Sequence, residues 1–174
     1  MYPRKMKRTF QESLAIGASG EKLVIKELSK ATQVRDYTDY KYNKGYQQKG
    51  FDIEFFNNNT QTWDRADIKT NVHSGWTKAE LTKPNGNLGW AYTSKADYII
   101  CVDKDYNKIY YYSLTDLRNY LERKRKENTL KVSMTNDGYY LTSIPVDHKQ
   151  LIKTYNDLVN LVGSGTTAPS TGII

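Results

Sequence analysis

Two carboxylates and an ammonium stand at spacings that let them share one spot. Asp52 lies in Gly50-Phe51-Asp52-Ile53-Glu54-Phe55, and Asp67 and Lys69 lie in Ala66-Asp67-Ile68-Lys69-Thr70. Both segments alternate apolar and polar residues, and a strand's side chains alternate between faces with period two. Asp52 and Glu54 therefore take one face, and Phe51, Ile53 and Phe55 the other. In the second segment Asp67, Lys69 and Asn71 share a face, opposite Ala66, Ile68, Thr70 and Val72. Asn57-Asn58-Asn59 is a turn signal between them. A hairpin closed there brings Asp52, Asp67 and Lys69 together, a cluster suited to a hard divalent cation. Without a cation the adjacent carboxylates repel and one pKa rises, an effect that Lys69 partly offsets. The cluster depends on register, because a one-residue slip dissolves it. The same residues also fit a solvated face of an antiparallel sheet, with Asp67 and Lys69 as a same-face pair.

The flanking elements decide what else can reach this spot. Residues 10–31 read as a helix, interrupted or closely packed at Gly17 and Gly20. Glu21 stands at helical offsets from Val24, Ile25 and Leu28, which turn it toward the apolar stripe. A carboxylate there needs a partner, unless it sits at the stripe's edge near the helix start. Residues 33–49 are polar and Tyr-rich and read as an irregular strand followed by a loop. Residues 73–95, with several Gly and Pro beside Trp76, Trp90 and Tyr92, read as a loop region with a short helical turn. His73 reads as an incidental surface residue. Residues 97–103 form a nearly continuous apolar run, the pattern of a strand buried on both faces. A turn over 104–107 leads to a strand over Ile109–Tyr112.

Leu114–Lys126 reads as a helix capped near Ser113 or Thr115, with a basic end that suits the helix dipole. A hairpin follows, Leu130–Met134 and Tyr139–Ile144, turning at Asn136-Asp137-Gly138. A last helix is expected over 147–162. The organisation expected is a basic N-terminal arm over 1–9, one domain over 10–162, and a flexible tail over 163–174.

Composition narrows the class. The 174 residues include 38% hydrophobic and 26% charged residues, enough for one domain with a core and unlike a disordered chain. No apolar run approaches the roughly 20 residues that span a bilayer, and no secretory signal is read at the N-terminus. Cys101 is the single cysteine, which excludes an internal disulfide and a multi-cysteine zinc site and fits a reducing cytoplasm. The net charge of +7 favours a polyanionic partner, although a merely basic protein fits it too. Lys41, Lys44, Lys49, Lys78, Lys83 and Lys95 surround the cluster and are the candidate phosphate contacts.

Asp52, then Asp67-x-Lys69, preceded by a helical Glu21 in Gly20-Glu21-Lys22-Leu23-Val24, resembles the PD-(D/E)xK nuclease superfamily, including its resolvase-like and restriction-endonuclease-like members. Ser94-Lys95-Ala96-Asp97-Tyr98 running into a buried strand adds to the resemblance, which covers about the first two thirds of the chain. It departs at Phe51, where the family often has Pro. The resemblance implies an α/β (α+β) fold with a restriction-endonuclease-like core: a central mixed sheet flanked by helices, in αβββαβ-like order.

It also implies Mg²⁺, with Mn²⁺ as substitute, held by Asp52, Asp67, the backbone carbonyl of Ile68 and Glu21, with Asp52, Asp67, Lys69 and Glu21 as the catalytic set. Phosphodiester hydrolysis needs a nucleophilic water, shielding of the phosphorane and help for the leaving oxygen, and a carboxylate-held cation supplies these. The expected activity is Mg²⁺-dependent endonucleolytic cleavage of DNA, in junction resolution or in phage or mobile-element DNA processing. RNA is the lesser expectation as substrate. A homodimer is left open, because symmetric cutting of two strands needs two sites. The expected location is the cytoplasm, the host's if phage-encoded. The competing readings are a non-catalytic nucleic-acid-binding protein and a virion or assembly component on the same fold.

Overall fold

The run Tyr98–Asp103 forms strand β5, with Ile99, Ile100, Cys101 and Val102 all at or below 1% exposure. A strand buried on both faces belongs at the centre of a sheet covered on both sides. The computed structural model describes residues 10–71, 76–103, 108–145, 153–154 and 162–163, and there β5 is central. It pairs in parallel with β3 (Thr62–Asn71) and antiparallel with β6 (Lys108–Ser113). Outside β3 lie β2 (Ile53–Asn57) and β1 (Val34–Asp36), and outside β6 lies β9 (Lys153–Thr154), giving the six-stranded order β1-β2-β3-β5-β6-β9. A second sheet orders β4 (Trp76–Thr82), β8 (Tyr140–Pro145) and β7 (Val132–Met134).

Each face of the main sheet has its own core. Helix α1 (Phe10–Leu28) lays Val24 and Leu28 over Ile53, Phe55, Ala66, Ile68, Ile100 and Val102. On the opposite face, Ile99, Cys101, Tyr110 and Tyr112 pack against Leu114, Leu117 and Leu121 of α4 (Leu114–Lys126), Ala91 of α3 (Trp90–Thr93), and Ala79 and Leu81 of β4. Each fully buried Ile or Leu contributes roughly 1.5–3 kcal/mol. Ser113 caps α4 by accepting the Asp116 N–H at 3.0 Å, and the last turn is basic from Arg123 to Lys126. This is the mixed α+β architecture expected, a central mixed sheet flanked by helices. With α2 (Tyr40–Gln48) and β4 set aside, the chain from α1 to β5 runs α-β-β-β-α-β.

Several elements differ from the sequence reading. Residues 40–48 form α2, not a loop. Its sequence lacks an apolar stripe because no α2 residue is buried; Asp39 caps it by accepting the Lys41 N–H, and Tyr46 stacks on Tyr37 with ring centroids 4.0 Å apart. Residues 76–82 are strand β4, not loop. Its inward residues Thr77, Ala79 and Leu81 include only one large apolar side chain, so the alternation is faint. Lys153–Thr154, expected within a helix, pairs as a strand with Tyr110 and Tyr111, where the edge of β6 offers its hydrogen-bonding groups.

Helix α1 ends at Leu28, short of residue 31; it is not interrupted at Gly17 or Gly20, and of the two Gly20 is the closely packed one, against Thr70. Gly163, expected at the start of the tail, is held by the Asn58 side-chain amide, which donates to its carbonyl at 3.0 Å. The basic arm 1–9, Val72, His73, the turn 104–107, the rest of 147–161 and the tail beyond Gly163 lie outside the described residues. Among the described residues no helix is long and apolar enough to cross a membrane.

Candidate active site

The site arises from a mismatch in strand length. β3 is ten residues long and β2 five, and their pairing ends at Ile53 opposite Ala66. From Asp67 onward β3 keeps its partner β5 but has run past the start of β2. Backbone groups on that open side need other partners. Asp52, just before β2, supplies one: its Oδ2 accepts the Ile68 N–H at 2.8 Å. A strand residue directs its N–H and C=O to the same side, so the Ile68 carbonyl faces this opening as well.

The expected hairpin and register are both present, and they bring Asp52 and Asp67 together. The two carboxylates are 8% and 5% exposed. Burial, then the charge of Asp67, push the Asp52 carboxyl up to about 7, against which the Ile68 N–H and Lys69 pull down. Lys69 Nζ lies 2.9 Å from Asp67 Oδ2. Burial alone would lower the Lys69 pKa, but Asp67 and Asp52 together hold it above its ordinary value. Lys69 therefore remains an ammonium at neutral pH.

These residues line a cleft of about 840 Å³ that also takes in Glu21, Ile68, Lys49 and Lys83. Glu21 reaches it because α1 presses against β3 at Gly20, where a Cβ would clash with Thr70. Its carboxyl is pushed up by partial burial, then by Asp36 and Asp67, with Lys69 opposing. Among the described residues no three His, Cys, Asp or Glu side chains are gathered closely enough to hold a metal ion, so Glu21, expected as a ligand from the resemblance, does not complete a three-carboxylate set with Asp52 and Asp67. Asp52 and Asp67 are a close pair, and Glu21 shares their cleft at greater remove.

The donor chemistry fits a hard cation. Two buried carboxylates face one ammonium, and burial, then the charge of Asp67, raises the Asp52 carboxyl despite Lys69. Mg²⁺ needs only one or two carboxylates and keeps several waters.

Of the six lysines named from sequence, Lys49 and Lys83 line this cleft. Lys41 and Lys44 stand exposed on α2, and Lys78 is exposed on β4. Lys95 lines a second, smaller cleft with Arg65 and Arg118. Glu54, which shares a face with Asp52 in the sequence, is taken up elsewhere, accepting from Arg35 Nη1 at 3.2 Å and Tyr37 OH at 2.8 Å.

Sequence reasoning gave no role in the site to three residues that build the cleft. Trp90 places its ring 5.3 Å from Lys69 Nζ, forming one wall. Glu80 of β4 adds a carboxylate to the lining. Ser94 donates its hydroxyl to the Gly50 carbonyl at 2.6 Å and accepts the Ala96 N–H, while Lys95 N–H reaches the Lys49 carbonyl at 2.9 Å. This grip fixes the approach to Asp52. The Ser94-x-Ala96-Asp97 signal was visible in sequence, but its partner at residues 49–50 was not.

No family model matches the sequence, and no curated protein matches it. Among solved structures, the chain is similar to a bacterial homing endonuclease, with a TM-score of 0.46 and 9% identity over 79% of this chain and 81% of that one. It is also similar to a nuclease from a fusselovirus, with a TM-score of 0.40 and 17% identity over 91% of this chain and 95% of that one.

Proposed function

We propose that this chain is a metal-dependent DNA endonuclease of the PD-(D/E)xK kind, with its active site where β3 outruns β2. The observation that carries the reading is the buried Asp52–Asp67 pair with Lys69 salt-bridged to it. Burial of two like charges is costly, and here it occurs at the mouth of an open cleft, where a ligand could relieve it. A carboxylate perturbed by burial and a specific charged neighbour, set in a cleft, is a functional-site candidate.

Asp52, Asp67 and the Ile68 carbonyl would hold Mg²⁺, which when bound supplies a Lewis acid for the phosphoryl oxygens and makes water more acidic. The protein's own groups do the rest. Lys69, held as an ammonium by Asp67, offers positive charge where negative charge develops on the phosphate. Glu21, whose carboxyl is pushed up by partial burial, orients water in the cleft. Trp90 limits where the Lys69 side chain can go. Lys49 and Lys83 at the rim meet the phosphate backbone, and the +7 net charge draws the polyanion in.

The test is incubation of supercoiled, linear and branched DNA with Mg²⁺ or Mn²⁺, comparing the wild type with Asp67→Ala and Lys69→Ala. Metal-dependent cleavage by the wild type alone supports the reading. Absence of cleavage on every form, or equal cleavage by all three proteins, overturns it.

A further inference from the structure

Lys69 has two neighbours of different kinds. Its Nζ lies 2.9 Å from Asp67 Oδ2 and 5.3 Å from the centroid of the Trp90 ring, inside the roughly 6 Å over which an aromatic face attracts a cation. Both neighbours line the cleft. The chain goes to some length to put Trp90 there. Helix α3 is a single turn of four residues with no side-chain cap, too short to hold itself. Arg118 of α4 holds it instead, donating Nε to the Ala91 carbonyl at 3.0 Å and Nη2 to the carbonyls of Tyr92 and Ser94 at 3.0 and 2.9 Å. On the other side of Trp90, the Gly89 N–H donates to the Leu81 carbonyl at 2.8 Å, and a Cβ on Gly89 would collide with the backbone of Glu80. The backbone that carries the ring is thus pinned to α4 and to β4.

The two neighbours respond differently to a divalent cation. A carboxylate engaged by a cation has less negative charge to offer an ammonium, and the cation repels the ammonium directly. The charge of a lysine sits on a flexible four-carbon stem, so the ammonium moves when its partner is taken. Glu21 and Glu80 also line the cleft, and either would draw an unrestrained ammonium away from a phosphate placed between Asp52 and Asp67. The Trp90 ring has no net charge to be neutralised. Its face attracts a cation through the quadrupole of the ring, whatever is bound to Asp67.

We propose that Trp90 is a positioning residue for Lys69. Its ring takes over the ammonium as a divalent cation takes Asp67, and it keeps that charge beside the carboxylate pair instead of releasing it to Glu21 or Glu80. The use of this placement in cleavage rests on the nuclease reading above, whereas the handover from Asp67 to Trp90 needs a divalent cation but no DNA.

The experiment follows the ε-methylene of Lys69 by NMR in the full chain with isotope-labelled lysine, first in EDTA and then with Mg²⁺. The proteins compared are the wild type, Trp90→Phe and Trp90→Leu, and Lys69→Met identifies the resonance by its loss. Protons over an aromatic face resonate upfield. The expected result is an upfield position in the metal-free wild type that moves further upfield with Mg²⁺, the same direction in Trp90→Phe, and an ordinary lysine position in Trp90→Leu under both conditions. A wild-type resonance that Mg²⁺ leaves in place or moves back to the ordinary position overturns the proposal. So does an upfield resonance that Trp90→Leu does not abolish. If Trp90→Leu does not fold, the wild type and Trp90→Phe decide.

Cleavage kinetics separate positioning from support of the fold. Trp90→Leu should lower kcat about tenfold with KM for DNA unchanged, and Trp90→Phe should recover most of it. In a Lys69→Met background Trp90→Leu should cost nothing further, because the group it positions is gone. An equal loss with and without Lys69, or a loss confined to KM, overturns the proposal. No cleavage of any DNA with the Mg²⁺-driven shift intact removes the nuclease reading and leaves the handover. Metal-dependent cleavage with the Lys69 resonance unmoved by Mg²⁺ removes the handover and leaves the nuclease.

Discussion

Asp52 stands in for a missing stretch of strand: its Oδ2 accepts the Ile68 N–H at 2.8 Å, the hydrogen bond that a longer β2 would have made through its backbone. One carboxylate therefore closes the edge of β3 and contributes charge to the cleft. The first role survives protonation or replacement by an amide, but the second does not.

That separation gives a pH prediction. In the metal-free protein the Asp52 carboxyl is raised from 3.8 to about 7, first by burial and then by Asp67. A raised folded-state pKa means that the folded form binds the proton more tightly. The associated stability is fully present below the unfolded value and is lost as pH rises from there through about 7. The shift corresponds to at most about 4 kcal/mol. Thermal melts in EDTA between pH 4 and 8 should show this decline, and Asp52→Asn should flatten it, being more stable than the wild type at pH 8 yet unable to bind Mn²⁺ in calorimetry. A wild type with no decline, or an Asn variant with the same one, would count against the geometry of the pair.

Lys69 supplies the compensating charge, and its removal should make the protein lean on a cation. Lys69→Ala leaves Asp67, with 7% of its side chain exposed, beside Asp52 with no ammonium. Because the lysine itself is about one third exposed, the stability cost should be nearer 1–2 kcal/mol than the 3–5 of a fully buried pair. Cleavage should fall by about 10²–10³. In melts with added Mn²⁺, the variant should gain more stability than the wild type. Equal gains would show that the cation and Lys69 do not answer the same charge.

The approach to Asp52 depends on Gly50, which has φ of +77°. A Cβ there would come within 3.1 Å of Ser94 Cα. Gly50→Ala combines left-handed strain of about 1–2 kcal/mol with displacement of the loop that Ser94 holds. Ser94→Ala removes the 2.6 Å hydrogen bond to the Gly50 carbonyl and the acceptor of the Ala96 N–H, a loss of about 1 kcal/mol for each bond, without moving the backbone. The ordering expected in urea melts is wild type, Ser94→Ala, Gly50→Ala, from most to least stable, with metal affinity falling in the same order. A Gly50→Ala variant as stable as the wild type would contradict the backbone conformation assigned to this turn.

How much of this was legible follows from what each residue answers to. Asp52, Asp67 and Lys69 could be placed from sequence because period-two alternation and a turn of asparagines are local signals, and Ile53↔Ala66 is the register they imply. β5 was legible because burial on both faces leaves an unbroken apolar run. α2 was not: its fold rests on the Asp39 cap and on one stack between Tyr46 and Tyr37, neither of which leaves a periodic stripe. Trp90 reaches Lys69 only because α3 is carried over the sheet by α4, where Arg118 donates to the carbonyls of Ala91, Tyr92 and Ser94. Such contacts, separated by more than twenty residues, have no signature within a window of sequence. The Lys153–Thr154 strand was misread for a related reason, since the edge of β6 decides it and the apolar spacing around it does not.

Gly20 is the point at which α1 can touch β3, and it sets the reach of Glu21. A Cβ at this position would lie against Thr70 Oγ1, with Thr70 Cβ and Cγ2 at 3.1 and 3.2 Å. Threonine is branched at Cβ and stiff about χ1, so it cannot swing its hydroxyl clear without moving the methyl in. Gly20→Ala should therefore lift the helix locally, despite the gain in helix propensity of about 1 kcal/mol that an Ala brings. Glu21 would move with it, away from Asp67 and Lys69. The expected result is a small net change in melting temperature together with a marked loss of cleavage.

Thr70→Ala in the same protein removes both Oγ1 and Cγ2, leaving only the Cβ at 3.1 Å, and should restore most of the activity lost in Gly20→Ala. If the double variant is no more active than Gly20→Ala, while both fold as the wild type does, then the helix's contact with Thr70 is not what positions Glu21. If Glu21→Gln itself cleaves as well as the wild type, Glu21 has no part in the chemistry, however well it is placed.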